Sequence, residues 1–229
     1  LWFLWALFLI QAASFAGFAL SRALGWARLA VLAAAGPAAL ILGLVPLEAL
    51  PILDKMKLES VVTIDGIDLP AFEGVMPASA ATLMALADRE TAVWIDGDLC
   101  PSGISDYLRF HTGAPAAKQR QEAVFALIDG RSGASAFDGF NPGTYEYPDR
   151  SATVIVQVEG FGTGQAKIID GPGIREPREI SVQGLVAGFW SRWTANQGKY
   201  PRGVDLFLVS GEDVLGLPRS VREASKEPT

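Results

Sequence analysis

Charge is almost absent from the first fifty residues of this chain and abundant after them. Residues 1–53 carry only Arg22, Arg28 and Glu48, a net of +1, which leaves −7 for the rest of a chain whose total is −6. Leu1 to Leu20 is uncharged over a length that, as a helix, matches the roughly 30 Å hydrocarbon core of a bilayer. Leu29 to Leu47 is a second uncharged stretch, and its Gly36-Pro37 pair is better tolerated in a membrane helix than in a soluble one. Residues 1–49 read as an apolar, membrane-like helical hairpin, able to contact a membrane. The first Met is Met56, so the alternative is a non-native upstream segment. Residues 50–229 are expected to form a separate domain.

The same charge count excludes whole classes of function. A net charge of −6 provides no global positive field to gather phosphate backbones, so no nucleic-acid partner is expected. One cysteine, Cys100, and one histidine, His111, cannot build a disulfide, a Cys/His zinc site or a CxxC redox pair.

From Val61 onward, short apolar runs alternate with helical segments, a pattern that predicts α/β layering. Strands are expected at Val61–Ile64, Ala92–Ile95, Ala123–Ile128 and Ala152–Val158, the last being rich in β-branched residues. A strand at Gln165–Ile169 should pair with it as a hairpin across Gly160, Gly162 and Gly164. Helices are expected at Ser79–Leu86, with Ser79 as N-cap, and at Ile104–Phe110, stopped near Gly113. Between Ser181 and Asn196 the residues Val182, Leu185, Val186, Phe189, Trp190 and Trp193 fall at helical spacing and predict one long helix. Val204–Val209 and Val214–Leu217 read as a closing hairpin, with a frayed polar tail from Arg222.

Candidate chemistry is sparse. The Gly160-Phe-Gly162-Thr-Gly164 run lacks the third glycine of a dinucleotide fingerprint and reads as a turn. Gly198-Lys199 lacks both the upstream glycine and the following Ser or Thr of a phosphate loop. His111 follows Arg109 and precedes Thr112-Gly113, the company of a helix end rather than of a catalytic triad. Lys167 is the one candidate for a Schiff-base lysine, against the plainer reading of an edge-strand lysine; Cys100 reads as a spectator thiol. Tyr145-Glu-Tyr147-Pro-Asp149-Arg150-Ser151 is a polar-aromatic loop of the composition that anchors protein contacts.

Six short motifs stand in order along the chain: Thr82–Asp88 with Ala92-Val-Trp94, Arg109-Phe-His111-Thr-Gly-Ala-Pro115, Tyr147-Pro-Asp-Arg150-Ser-Ala-Thr153, Gly171-Pro-Gly-Ile174, Pro201-Arg-Gly-Val-Asp205 and Leu217-Pro-Arg219. Together they resemble the H subunit family of the bacterial carbon-phosphorus lyase system (PhnH). They cover residues 61–225. The front departs from the family: Ile52–Met56 keeps part of an expected helix, Lys57–Ser60 lacks its Pro-Gly turn, and residues 1–49 match nothing in it.

The resemblance implies a three-layer α/β/α sandwich similar to pyridoxal-phosphate (PLP)-dependent transferases, without their cofactor. It implies an accessory subunit of an assembly with G, I and J partners that couples a phosphonate to the ribose of ATP before carbon-phosphorus bond cleavage; a homodimer is a further candidate assembly. No catalytic residue, metal or cofactor carries over. The alternatives are a free-standing transferase of the PLP fold using Lys167, and a membrane-tethered binding module. A partner that needs ATP implies the cytoplasm, although the basic link at Arg22 and Arg28 would hold the loop of a real hairpin there and export the domain. The alternative is membrane association through residues 1–47. The residues expected at partner or ligand contacts are Arg109, His111, Thr112, Tyr147, Asp149, Arg150, Arg202, Asp205 and Arg219.

Overall fold

The computed structural model describes residues 61–99, 101–131, 137–172, 174 and 176–224. The two apolar stretches, and Cys100, lie outside the described residues. Nine strands and three α-helices are found among those described: β1 (Val62–Thr63), α1 (Pro77–Leu86), β2 (Val93–Ile95), α2 (Pro101–Thr112), β3 (Phe125–Asp129), β4 (Thr153–Gln157), β5 (Gly160–Asp170), β6 (Arg178–Gln183), α3 (Phe189–Gln197), β7 (Asp205–Ser210), β8 (Asp213–Leu217) and β9 (Arg222–Glu223). None of these helices is long and apolar enough to cross a membrane.

The architecture is mixed α/β, as the alternation of elements predicts. Six strands form one sheet in the order β1-β8-β7-β4-β3-β2, in which β2, β3, β4 and β7 run parallel, β8 pairs antiparallel with β7 and β1 pairs antiparallel with β8. The β-branched run Thr153–Gln157 lies in the middle, bonded to β3 on one side and β7 on the other. A strand covered on both faces needs apolar residues at every position rather than at alternate ones. That is what β3 and β4 supply. Phe125 and Leu127 point into one cluster with Leu83, Ile104 and Leu108 of α1 and α2, whereas Ala126 and Ile128 point into the other with Phe189 and Trp193 of α3.

Helix α1 illustrates how a sequence expectation of a cap can miss. Ser79 lies inside the helix and is fully buried, because Pro77 at the first turn starts it two residues earlier. No side chain of α1 caps its own amino end. The sheet does so instead: Gln157 accepts the Met76 N–H through Oε1 (2.7 Å), donates Nε2–H to the Gly74 carbonyl (2.8 Å), and the Gly211 carbonyl accepts the Ala78 N–H (3.1 Å).

The long helix expected over Ser181–Asn196 is two elements. Residues Arg178–Gln183 are β6, and α3 begins only at Phe189. Gly184 and Gly188 adopt φ of +84° and +80°, which a continuous right-handed helix forbids. A Cβ on Gly184 would lie 2.7 Å from the Glu159 backbone nitrogen, so the chain turns tightly there against the start of β5. The helical spacing arises because β6 and α3 each turn apolar residues toward the same core.

The β4–β5 hairpin is also absent. Strand β5 pairs with β6 and β9 in a second sheet of order β6-β5-β9, and its glycines lie within the strand at a register shift between Phe161 and Gln165. Glycines without side chains permit such a bulge. The segment at Arg222–Glu223, expected to fray, pairs with Asp170 and Ile169 as β9. Lys167 stands opposite Ile180 of β6 in the middle strand of this sheet, two residues before the pairing with β9 begins at Ile169. The β7–β8 hairpin stands as expected, Ser210 facing Asp213 across Gly211-Glu212.

Candidate interaction site

Three of the sequence motifs converge at the amino ends of β4 and β7, neighbours in a parallel pair with Thr153 opposite Asp205. The focus is Arg219, just past β8 and only 3% exposed. Its Nη1 donates to the Gly203 carbonyl at 2.7 Å and to the Ser151 hydroxyl, and lies 3.2 Å from Asp205 Oδ2. The Arg219 backbone N–H donates to Asp205 Oδ1 at 2.8 Å. A guanidinium suits this role because its donors form a fixed, planar fork. Burial pushes the Asp205 carboxyl above its usual range, outweighing the opposing pull of Arg219.

A second tie joins α3 to the same end of the sheet. Asn196, 2% exposed, donates Nδ2–H to the Val204 carbonyl and accepts the Val204 N–H at Oδ1, both at 2.9 Å. The Gly203 N–H reaches the Pro142 carbonyl at 2.8 Å and the Ala152 N–H the Asn141 carbonyl at 2.8 Å. Loops 141–152 and 198–204 are thereby fixed to one buried network.

What these loops present outward is aromatic and cationic. The turn at Thr144–Tyr147, closed by Thr144 N–H to the Tyr147 carbonyl (3.2 Å) and Tyr147 N–H to the Thr144 hydroxyl (2.9 Å), exposes Tyr145 (71%) and Tyr147 (41%). The Arg150 guanidinium stacks 4.2 Å from the Tyr147 ring centre, and that of Arg202 4.3 Å from the Tyr145 ring. Asp149 lies exposed in the 3₁₀ turn Pro148–Arg150.

The remaining sequence candidates lie elsewhere, at the carboxyl end of α2. Thr112 caps the helix, its hydroxyl donating to the Leu108 carbonyl (2.7 Å) and accepting the Ala114 N–H (3.1 Å). Arg109 is exposed and paired with Asp106 at 3.0 Å. His111 is exposed, with its ring centre 4.2 Å from that of Tyr107 and 4.9 Å from that of Phe110. Nothing described joins this helix end to the Arg219 network.

Lys167 lines a cleft of about 480 Å³ between β5, β6 and α3, where its Nζ pairs with Glu223 at 2.5 Å. Among the described residues no group of three or more His, Cys, Asp and Glu side chains is placed to hold a metal ion.

Sequence reasoning names Arg219 and Asp205 but not their companions Ser151, Gly203 and Asn196. Ser151 and Gly203 stand inside the motifs themselves, so the motif ends carry that signal; Asn196 has none, because its partner at Val204 is fixed only by folding.

Known proteins share these features of sequence. The family model described as "Bacterial phosphonate metabolism protein (PhnH)" matches residues 59–224. "Alpha-D-ribose 1-methylphosphonate 5-triphosphate synthase subunit PhnH" of Rhizobium meliloti (strain 1021) is 41% identical over 145 residues, 63% of this chain and 72% of that one. "Putative C-P lyase subunit protein HtxG" of Stutzerimonas stutzeri is 34% identical over 152 residues, 66% of this chain and 74% of that one. The motifs that meet at Arg219 all lie within the matched span, and the chain belongs to the bacterial phosphonate metabolism protein (PhnH) family.

Proposed function

We propose that this chain is an accessory, non-catalytic subunit of the carbon-phosphorus lyase core complex, the ribose 1-methylphosphonate 5-triphosphate synthase of organic phosphonate catabolism. The observation that carries the reading is the 41% identity, over most of the domain, to a chain named as a subunit of that synthase. The site supports it. Asp205, Arg219 and Thr112, three of the candidate polar side chains, are engaged in holding backbone. Tyr147, Arg150 and Tyr145 are displayed on loops anchored beneath, which is the arrangement of a recognition surface.

In this reading residues 50–229 are the working domain, operating in the cytoplasm, and the partners are the G, I and J subunits. The sheet covered by helices on both faces supports the three-layer arrangement of the PLP-dependent transferases. The test is co-expression of the tagged full chain with G, I and J subunits, followed by affinity purification and size-exclusion chromatography. Co-elution in fixed stoichiometry is expected. Failure to retain any of the three overturns the reading, and turnover of methylphosphonate and ATP by the chain alone overturns its accessory character.

A further inference from the structure

We infer that the Thr144–Tyr147 turn with Arg150 and Arg202 is a docking surface for a carboxylate-bearing patch on a partner subunit of the complex. The inference rests on the subunit reading above and specifies the chemistry of one contact within it. Two guanidinium groups are held by stacking on two rings of one tight turn, at 4.2 and 4.3 Å. Among the described residues neither Arg150 nor Arg202 has a carboxylate within ion-pairing distance. Arg202 Nε is shielded from water and has no hydrogen-bond partner, while its Nη2 makes only a long 3.5 Å contact with the Tyr145 hydroxyl. Because the chain itself encloses Arg202 Nε, the donors left for a partner are the Nη groups, and a carboxylate is the natural planar acceptor for them.

The shape and charge of the surface select a protein over other anions. Tyr145, Tyr147 and, two residues from Arg202, Tyr200 at 62% exposure present large rings to solvent, area that a flat protein face covers and a small ion does not. Glu146 and Asp149 interleave with the arginines, so a polyanion such as nucleic acid would meet repulsion, whereas a partner of alternating charge would not. The scaffold below is rigid: Arg219, Asn196 and the Gly203–Pro142 bond fix both loops before any partner arrives. Such preorganisation lowers the ordering cost of association.

The experiment uses the full chain co-expressed with G, I and J. Arg150→Ala with Arg202→Ala should lower retention of partner subunits about tenfold or more, the scale of an interface hot spot. Arg150→Lys with Arg202→Lys should recover only part of it, because lysine keeps the charge without the fork. Wild-type association should weaken with rising salt, and that of the double alanine variant should depend less on it. Unchanged far-UV circular dichroism and melting temperature show that the fold is intact; a variant that unfolds is replaced by Tyr145→Ser with Tyr147→Ser, expected to weaken association by a similar factor. If the wild type joins the complex and both variant pairs join equally well, the docking surface is overturned while the subunit reading stands. If the wild type joins no subunit, both fall. If the variants lose only self-association in sedimentation, the occupant is a second copy of this chain and the assignment to a different subunit is overturned.

Discussion

Arg219 meets Asp205 twice, through its backbone N–H at 2.8 Å and its guanidinium at 3.2 Å, so one carboxylate fixes both the path of the chain leaving β8 and the side chain it carries. The guanidinium then spans to Ser151 and Gly203, joining segments that enter β4 and β7.

Removing the cation should therefore cost more than an ordinary surface change. Arg219→Ala leaves Asp205 without its counter-ion and the Gly203 carbonyl without its donor, a loss of about 3 kcal/mol by analogy with broken buried ion pairs. Urea denaturation of the full chain measures it. A loss below about 1 kcal/mol, the range of exposed pairs, would show the network to be dispensable.

Two carboxylates should shift stability with pH in opposite senses. Asp205 has a raised folded-state value because burial disfavours its charge, so its contribution favours the fold at low pH and is lost as pH rises from about 4 through that raised value. Asp129 has a lowered value, chiefly from the Arg131 side-chain hydrogen bonds at 2.9 and 3.2 Å. Its contribution is present above about pH 4 and is lost as pH falls through the folded value. In chemical denaturation across this range, the wild-type advantage over Asp129→Asn should grow with pH, and that over Asp205→Asn should shrink. Parallel curves would contradict both assignments.

Within β5, two glycines with similar backbone angles should respond differently to a methyl group. Gly164 has φ +95°, and a Cβ there would lie 2.5 Å from the Val182 carbonyl oxygen; Gly162 has φ +82° and open space around it. Gly164→Ala should destabilise by about 2 kcal/mol or more, and Gly162→Ala by about 1 kcal/mol from backbone strain alone. Paired thermal melts decide whether the bulge is as tight as described.

Gln157 offers a test of the cap supplied from the sheet. It is 4% exposed and serves both Met76 N–H and the Gly74 carbonyl. Gln157→Leu keeps the size and removes both bonds, which should cost about 2 kcal/mol and accelerate hydrogen exchange at Met76. Unchanged exchange at Met76 would mean that another group satisfies the helix entrance.

The central strands were legible because composition and environment agree: Thr153–Gln157 is β-branched at its core and buried on both faces. The β7–β8 hairpin was legible because its turn is local. Residues 182–193 misled because a strand and a helix facing one core imitate helical periodicity, and only the left-handed backbone at Gly184 and Gly188 separates them. Strand β9 is too short and polar to announce itself; Asp170, the partner of Arg222, stands 52 residues earlier in the chain. The quoted motifs contain Arg219, Asp205, Tyr147 and Arg150 but do not say which of them turn inward. That division depends on the β4–β7 pairing, a property of the folded sheet.

The pairing of β1 with β8 carries a consequence for the order of events during synthesis. Val62 opposes Val214, and the Thr63 hydroxyl donates to Asp213 across 150 residues of sequence. Contacts of such separation form slowly, since the intervening chain must be ordered before they stabilise anything. On the ribosome, segment 62–63 emerges long before its partner exists and must wait, while β2, β3 and β4 can already assemble with α1 and α2. The outer edge of the sheet is thus the last to close, and a nascent chain arrested before residue 217 exposes the unpaired flank of β7 to chaperones and proteases.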